Sequence, residues 1–223
     1  KLYGSQAHAG ATGGYVDVVD VETGQWLYRF AEGLFPVAVA VPDKTKPGKQ
    51  VAYVLCGDEG GAAHGLGHSI KKVSVRYPVV GQSKVEIIGF DIRLREGVGL
   101  HTRTVGNMLY LYYGDAASNR VFETAVVDGE QMHTISCAAW GARSKFYLSD
   151  FCVDGEGRVV VACASRGLRV YEDRNAPTVH RKLMTVAHSS LDITGVAPAQ
   201  DGRILYADMG LDELFALVDV TDR

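Results

Sequence analysis

Four side chains that could bind a metal or move a proton stand inside apolar, strand-like stretches of this sequence. His101 lies in GLHTRT, Asp150 in YLSDF, and both His188 and Asp192 lie in HSSLDIT. Carboxylate oxygens are preferred calcium ligands, and a His–Asp pair with shifted pKa values can transfer protons. The alternative is that these groups only hydrate a channel or cap strand ends. The residues leave both interpretations open, and no catalytic residue is assigned.

A second pair of histidines, His64 and His68, occurs in the motif HGLGH. The spacing i, i+4 brings two side chains together only on a helix, and this Gly-rich segment lacks the Glu of HExxH. We therefore predict a Gly-rich loop from Asp58 to Ser69 instead of a metal site. Its polar residues are the first candidates for contact with a protein partner; they are Asp58, Glu59, His64 and His68.

The remaining motifs point away from common active sites. The stretch DGEG at Asp154 is too short for a calcium loop and lacks its terminal Glu, so it predicts a hairpin turn. The sequence contains no nucleophile elbow, no GxGxxG, no phosphate-binding loop and no CxxC. Each cysteine lies among apolar neighbours and is predicted to be a small buried side chain; the four are Cys56, Cys137, Cys152 and Cys163.

The composition of the 223-residue chain excludes several classes of function. A formal net charge of −3 provides no basic field for nucleic acid. Apolar stretches such as FPVAVAVP are too short to span a bilayer, so no membrane insertion is expected. No secretory signal opens the chain, which favours a cytoplasmic location. Because the sequence starts with Lys1 instead of Met, a removed signal is the alternative.

The apolar runs that carry these residues are short and rich in Val, Tyr, Leu and Ile, and Gly and Asp separate them. This pattern predicts an all-β protein. Runs such as VAYVLCGDEG, MLYLYYGDA and ILYADMG resemble one another and recur with a period of roughly 40 to 50 residues. Each is followed by a loop and a further strand, and turns such as QDGR join neighbouring strands. A short helical turn is expected at most in LREGVGL and near Ala62.

Four strands per unit at this period are typical of a β-propeller, in which each sheet is apolar on both faces and is packed between two neighbours. The strands divide into three complete four-stranded blades, preceded and followed by a three-stranded piece. We expect residues 1–223 to form a single propeller domain or propeller segment. The alternatives are a five-bladed ring with two imperfect blades and part of a larger, seven-bladed propeller that another chain could complete.

The stretches GVAPAQDGRILYADMGLDELFALVDV and GYVDVVDVETGQWLYRF resemble NHL-type and YVTN-type propeller repeats. The resemblance covers most of the chain and implies an architecture without implying an activity. Propeller enzymes place metal or acid–base groups where innermost strands converge at the mouth of the central channel. On that basis His101, Asp150, His188 and Asp192 are candidates for this mouth.

Two functions follow as hypotheses. The first is a non-catalytic scaffold that binds a protein partner through loops of the propeller. The second is a lactonase-like hydrolase or an oxidoreductase with a divalent metal, calcium being the candidate, at the channel mouth. In the second hypothesis Asp150 and Asp192 would be ligands, and His101 or His188 would be the acid–base group. The absence of a convergent motif favours the scaffold.

Overall fold

The structure is a computed structural model of the 223-residue chain. It describes residues 2–6, 14–20, 22–30, 35–42, 49–57, 67–76, 84–126, 131–136, 148–164, 167–171, 181–184, 192–199, 203–208 and 213–217. These residues form strands, turns and connections. The all-β expectation is therefore confirmed for the described part of the chain. No helix in that part has the length and apolar character needed to cross a bilayer.

The described residues form eighteen strands. In chain order they are β1 Leu2–Gln6, β2 Tyr15–Val19, β3 Trp26–Phe30, β4 Pro36–Ala40, β5 Lys49–Cys56, β6 His68–Arg76, β7 Lys84–Leu94, β8 Gly97–Val105, β9 Met108–Asp115, β10 Arg120–Ala125, β11 Gln131–Ser136, β12 Asp150–Val153, β13 Val159–Ala162, β14 Leu168–Tyr171, β15 Arg181–Met184, β16 Ile193–Pro198, β17 Ile204–Asp208 and β18 Glu213–Leu217. Each sheet pairs strands that follow one another along the chain.

The strands form five antiparallel sheets, and the predicted count of strands in each sheet is confirmed. The orders are β1-β2-β3, β4-β5-β6-β7, β8-β9-β10-β11, β12-β13-β14-β15 and β16-β17-β18. Three sheets thus have four strands, and the first and last have three. Sequential antiparallel order is the topology of propeller blades.

The chain divides into two compact units, residues 1–109 and 110–223. Within the first unit, strand β4 contacts β1 and β8, and within the second unit β12 contacts β16. Within each unit the first strands of successive sheets therefore meet, as they do between neighbouring blades of a propeller.

An apolar core lies between neighbouring sheets in each unit. In the first unit Val16, Val18 and Phe30 pack with the next sheet's Ala52 and Val54. In the second unit the core joins β12–β14 to β16 and β17; its members are Cys152, Val160, Ala162, Leu168, Val170, Ile193, Val196, Ile204 and Tyr206. Burial of apolar faces between neighbouring sheets is the main force that orders the sheets within each unit.

Aspartates close the hairpin turns of the fold. At Asp154 the carboxylate accepts the backbone N–H groups of Glu156 at 3.0 Å and Arg158 at 2.8 Å, and its other oxygen contacts Arg158 Nε at 2.5 Å. Asp20 closes the turn between β2 and β3 in the same way, with Thr23 N at 2.9 Å. The interpretation of DGEG as a hairpin turn is confirmed, since this carboxylate serves the turn.

Two expectations about local structure are wrong. The stretch LREGVGL forms no helical turn: β7 ends at Leu94, a bend follows, and β8 begins at Gly97. His68 does not lie in the predicted loop, because strand β6 begins at this residue and pairs it with Leu94. Ala62 lies outside the described residues.

The expectation for the cysteines is confirmed where the structure describes the side chains. Cys56, Cys152 and Cys163 are buried free thiols, whereas Cys137 lies outside the described residues. Tyrosines on the strands are buried by packing of the sheets; they are Tyr53, Tyr110, Tyr112, Tyr113 and Tyr206.

Gly67 is the glycine with the strictest steric requirement, since it has φ of +66° and a Cβ there would overlap the Leu94 carbonyl. We predict that Gly67→Ala lowers the free energy of unfolding by about 2–5 kcal/mol, the combined effect of a strained φ and overpacking. Chemical denaturation would measure this change.

Two matched variants separate these causes. Gly106 has φ of +60° with nothing within 4 Å of a Cβ, so Gly106→Ala should cost about 1–2 kcal/mol. Gly155 has the same open space and no positive φ, so Gly155→Ala should change stability by less than about 0.5 kcal/mol. Equal effects of Gly67→Ala and Gly106→Ala would contradict the overlap.

Candidate functional site

Asp150 is the candidate residue with the most specific environment. It begins β12, and its Oδ2 accepts the backbone N–H of Val196, on the neighbouring sheet's strand β16, at 3.0 Å. Val196 is only 6% exposed, so water does not easily replace this acceptor. The carboxylate therefore joins two sheets through a buried backbone group.

Ser149 strengthens the same connection. Its hydroxyl lies 2.7 Å from the carbonyl oxygen of Ile193 and 3.1 Å from that of Ala162, so it can donate to either. Ile193 N also donates to the carbonyl of Ala164 at 3.3 Å. We call this set, Ser149, Asp150, Ile193 and Val196, the β12–β16 joint. Its polar side chains bond to backbone groups of the neighbouring strands β13 and β16.

The first unit contains a similar connection between successive first strands. Thr102 on β8 donates its hydroxyl to the carbonyl of Val41, one residue after β4, at 3.1 Å. His101, the adjacent residue, is half-buried on β8. Polar side chains on first strands thus hold sheets together in both units.

Asp192 precedes β16 and is exposed. Its backbone N–H donates at 3.1 Å to Oδ1 of Asp208, which is 2% exposed at the end of β17. Asp192 is four residues before Val196, which corresponds to roughly 13 Å of extended strand. The Asp150 carboxylate therefore contacts β16 at Val196, and not at the start of the strand next to Asp192.

This spacing bears on the proposed metal site. Calcium ligands must all lie about 2.3–2.6 Å from one ion. Within the part of the chain that the structure describes, no group of three or more His, Cys, Asp or Glu side chains is arranged to hold a metal. His188, the fourth candidate, lies outside the described residues. His101 belongs to the first unit, and Asp150 and Asp192 belong to the second.

Burial sets the ionisation of the groups around the joint. Burial raises the pKa of Asp150 above its usual value near 3.8, although hydrogen bonds from the backbone of Val196 and Phe151 partly oppose this shift. Burial also raises the pKa of the Cys152 thiol to about 12, with smaller contributions from Asp150 and Asp154. Cys152 therefore remains a thiol near neutral pH and is a poor nucleophile.

The structure describes only the end of the predicted partner-binding loop, from Gly67 to Ser69. Asp58, Glu59 and His64 lie outside the described residues. His68 is a strand residue whose Nδ1 accepts the backbone N–H of Gly97 at 2.8 Å. This bond ties the start of β6 to the start of β8, which gives His68 a structural role in the first unit.

Residues that sequence reasoning missed include Thr102 and the side chains around Trp26. Thr102 stands in GLHTRT beside the candidate His101, but a threonine in a strand gives no local signal of a contact with another sheet. Trp26 and Arg29 lie on β3, and only the pairing of β2 with β3 brings Asp17 to them.

Comparison with solved structures shows that the fold of this chain is similar to those of known proteins. The chain is similar to hydrazine synthase of Kuenenia stuttgartiensis, with a TM-score of 0.59 and 14% identity, covering 96% of this chain and 60% of that chain. It is similar to the periplasmic gluconolactonase PpgL of Pseudomonas aeruginosa, with a TM-score of 0.55 and 12% identity, covering 97% and 66%. The propeller of Dos1 has a TM-score of 0.48 and 12% identity, covering 94% and 55%.

No family model and no curated protein sequence matches the chain. The chain spans less than two thirds of the length of each of these solved structures. At such identities the likeness concerns the fold alone. The β-propeller class is confirmed, and membership of the NHL or YVTN repeats stays a prediction.

We predict that Asp150→Ala lowers the free energy of unfolding by about 1–3 kcal/mol, because the buried Val196 N–H loses its acceptor. Asp150→Asn keeps an acceptor oxygen and removes a charge that burial disfavours. The matched pair therefore separates the hydrogen bond from the ionisation.

The same pair has a defined pH dependence. A raised pKa means that the native state holds this proton more tightly than the unfolded chain. The stability from Asp150 is thus fully present below pH 3.8 and is lost as pH rises through the native pKa. In denaturation at several pH values, the free energy of unfolding of Asp150→Asn should increase relative to that of the wild type as pH rises to neutrality. A gain that shrinks over this range would contradict a raised pKa.

Proposed function

We propose that the chain is a non-catalytic β-propeller scaffold that binds a protein partner through its loops. The observation that supports this most is the use of polar side chains on the first strands. Asp150, Ser149 and Thr102 each bond to the backbone of a neighbouring sheet. These groups therefore serve architecture, whereas a catalytic group must be able to reach a substrate.

A rigid framework with variable loops is suited to binding. Sheets joined by buried cores and by side-chain bonds keep loop ends at fixed positions, which lowers the entropy lost when a partner binds. The acidic start of the loop after β5, at Asp58 and Glu59, is the first contact region that the sequence suggests.

A charge-reversal experiment tests the scaffold. The variant Asp58→Lys/Glu59→Lys is expected to reduce recovery of a specific protein partner in affinity capture at least severalfold, because charges at a contact set its complementarity. Binding would then be measured with the purified partner. The control is Glu22→Lys/Glu156→Lys, which reverses two exposed charges in the turns after β2 and β12.

The control variant should bind as the wild type does. The scaffold proposal fails if partner binding is unchanged by replacements in the loop after β5 and also by replacements in the other loops, on either face of the propeller. A partner lost equally from the control would indicate general charge attraction and would also count against this loop.

A second candidate function is a lactonase-like hydrolase or an oxidoreductase with a divalent metal. One observation favours it: Asp150 is a buried carboxylate whose pKa is shifted from its usual value, and shifted pKa values are common at functional sites. In this reading Asp150 and Asp192 would supply oxygen ligands, calcium would polarise a carbonyl, and His101 or His188 would transfer protons.

Metal titration distinguishes the two functions. For the scaffold we expect no calcium-dependent rise of the melting temperature, whereas a resident calcium site would raise it with ligand concentration. Asp192→Asn is the informative variant, because Asp192 is exposed and its side chain is not part of the β12–β16 joint. A calcium-dependent rise that Asp192→Asn abolishes would favour the enzyme.

A further inference from the structure

The first sheet, β1-β2-β3, has two chemically different faces. Val16, Val18 and Phe30 point into the core that it shares with the second sheet. Alternation along β2 places Tyr15 and Asp17 on the other face, and β3 adds Arg29 and Trp26 there. That face is partly open to solvent.

Trp26 is the most exposed large apolar side chain among the described residues, at 59%. Its indole N–H donates to Asp17 Oδ1 at 3.0 Å. An exposed indole normally samples several rotamers, and this bond fixes the ring against the sheet. The result is a positioned, open aromatic surface about one ring wide.

Asp17 and Arg29 form a rigid support for this ring. Arg29 donates to the carboxylate through Nε at 2.8 Å and Nη2 at 3.0 Å, a bidentate pair. The guanidinium lies 3.3 Å from the centre of the Tyr15 ring. The bond from Arg29, with that from Trp26, holds the pKa of Asp17 below its usual value, although burial partly opposes this.

Asp17 and Arg29 neutralise each other in this ion pair, so the described side chains of this face carry no net charge. A ligand that suits it is therefore neutral, has an apolar area of about one ring, and carries hydroxyl groups at the edge. The hydroxyls can reach the carboxylate and guanidinium beside the indole. A pyranose has this distribution, because its C–H groups lie on the ring faces and its hydroxyls lie around the rim.

We propose that Trp26, supported by Asp17, Arg29 and Tyr15, is a binding surface for a neutral sugar ring of an oligosaccharide. We call these four residues the Trp26 surface. A protein partner suits it less well, because interface centres are usually contiguous apolar patches. Here the ion pair separates the indole from the Tyr15 ring. This inference is independent of the scaffold proposed above.

Ligand-observed NMR and calorimetry with the full chain test the proposal. The probes are neutral hexasaccharides built from glucose, galactose or mannose, with a uronic acid hexasaccharide and a proline-rich peptide as comparisons. We expect saturable binding of at least one neutral oligosaccharide. Trp26→Ala should weaken it at least about tenfold, as expected when one well-placed contact of about 1.4 kcal/mol is lost.

Two further variants test whether the loss of binding is specific to the indole of Trp26. Leu27→Ala changes a neighbouring exposed residue, 37% exposed on the same strand, and should leave the affinity within about twofold. Trp26→Phe should retain part of the binding because it keeps an aromatic face. Melting temperatures of all variants would establish that they are folded.

Fluorescence gives a second readout. Trp140, the other tryptophan of the sequence, lies outside the described residues. In Trp140→Phe the emission reports Trp26 alone, and sugar binding should shift it saturably. The proposal is overturned if no neutral oligosaccharide binds at millimolar concentration, if Trp26→Ala binds as the wild type does, or if only the uronic acid or the peptide binds.

Discussion

The buried hydrogen bond from the Val196 N–H to the Asp150 carboxylate shows the constraint that the contact between β12 and β16 must satisfy. The first strand of each sheet has one edge without a ladder partner, and its backbone groups still need hydrogen bonds where water is excluded. Side chains supply them: Asp150 and Ser149 in the second unit, and Thr102 in the first. Apolar packing alone would bring the sheets together, and these directional bonds also fix their register.

Strand order was predictable because its determinants are local. Alternation of apolar residues, Asp-Gly turns and the repeat period together predicted three four-stranded and two three-stranded sheets, as observed. Other details depend on distant residues. His68 belongs to β6 because Leu94, 26 positions later, pairs with it. The motif HGLGH contains no signal of that pairing, and its glycines predicted a loop. The register shifts between β6 and β7 and between β16 and β17 likewise involve two strands and not one local motif.

The candidate site shows why sequence predicts function less well than fold in this architecture. Asp150 and Asp192 were singled out for their residue type and their place on first strands; Asp150 does begin β12, whereas Asp192 lies one residue before β16. Their roles depend on which backbone group lies opposite each carboxylate. Asp150 meets the N–H of Val196, whereas the side chain of Asp192 is exposed. Sites assembled from several sheets leave no contiguous motif, so identical residue types can serve a joint or a ligand.

The two faces of the first sheet differ in chemistry and therefore in what can pack against them. Its inner face is aliphatic and is buried in the core of the first unit. Its other face carries a bidentate ion pair, and burying such a pair under an apolar sheet would cost more desolvation energy than its Coulomb attraction returns. Contact with water or with a polar, hydroxyl-rich ligand avoids that cost. Asp17 and Arg29 at these positions, with an indole fixed beside them, therefore suit water or a polar ligand better than an apolar surface.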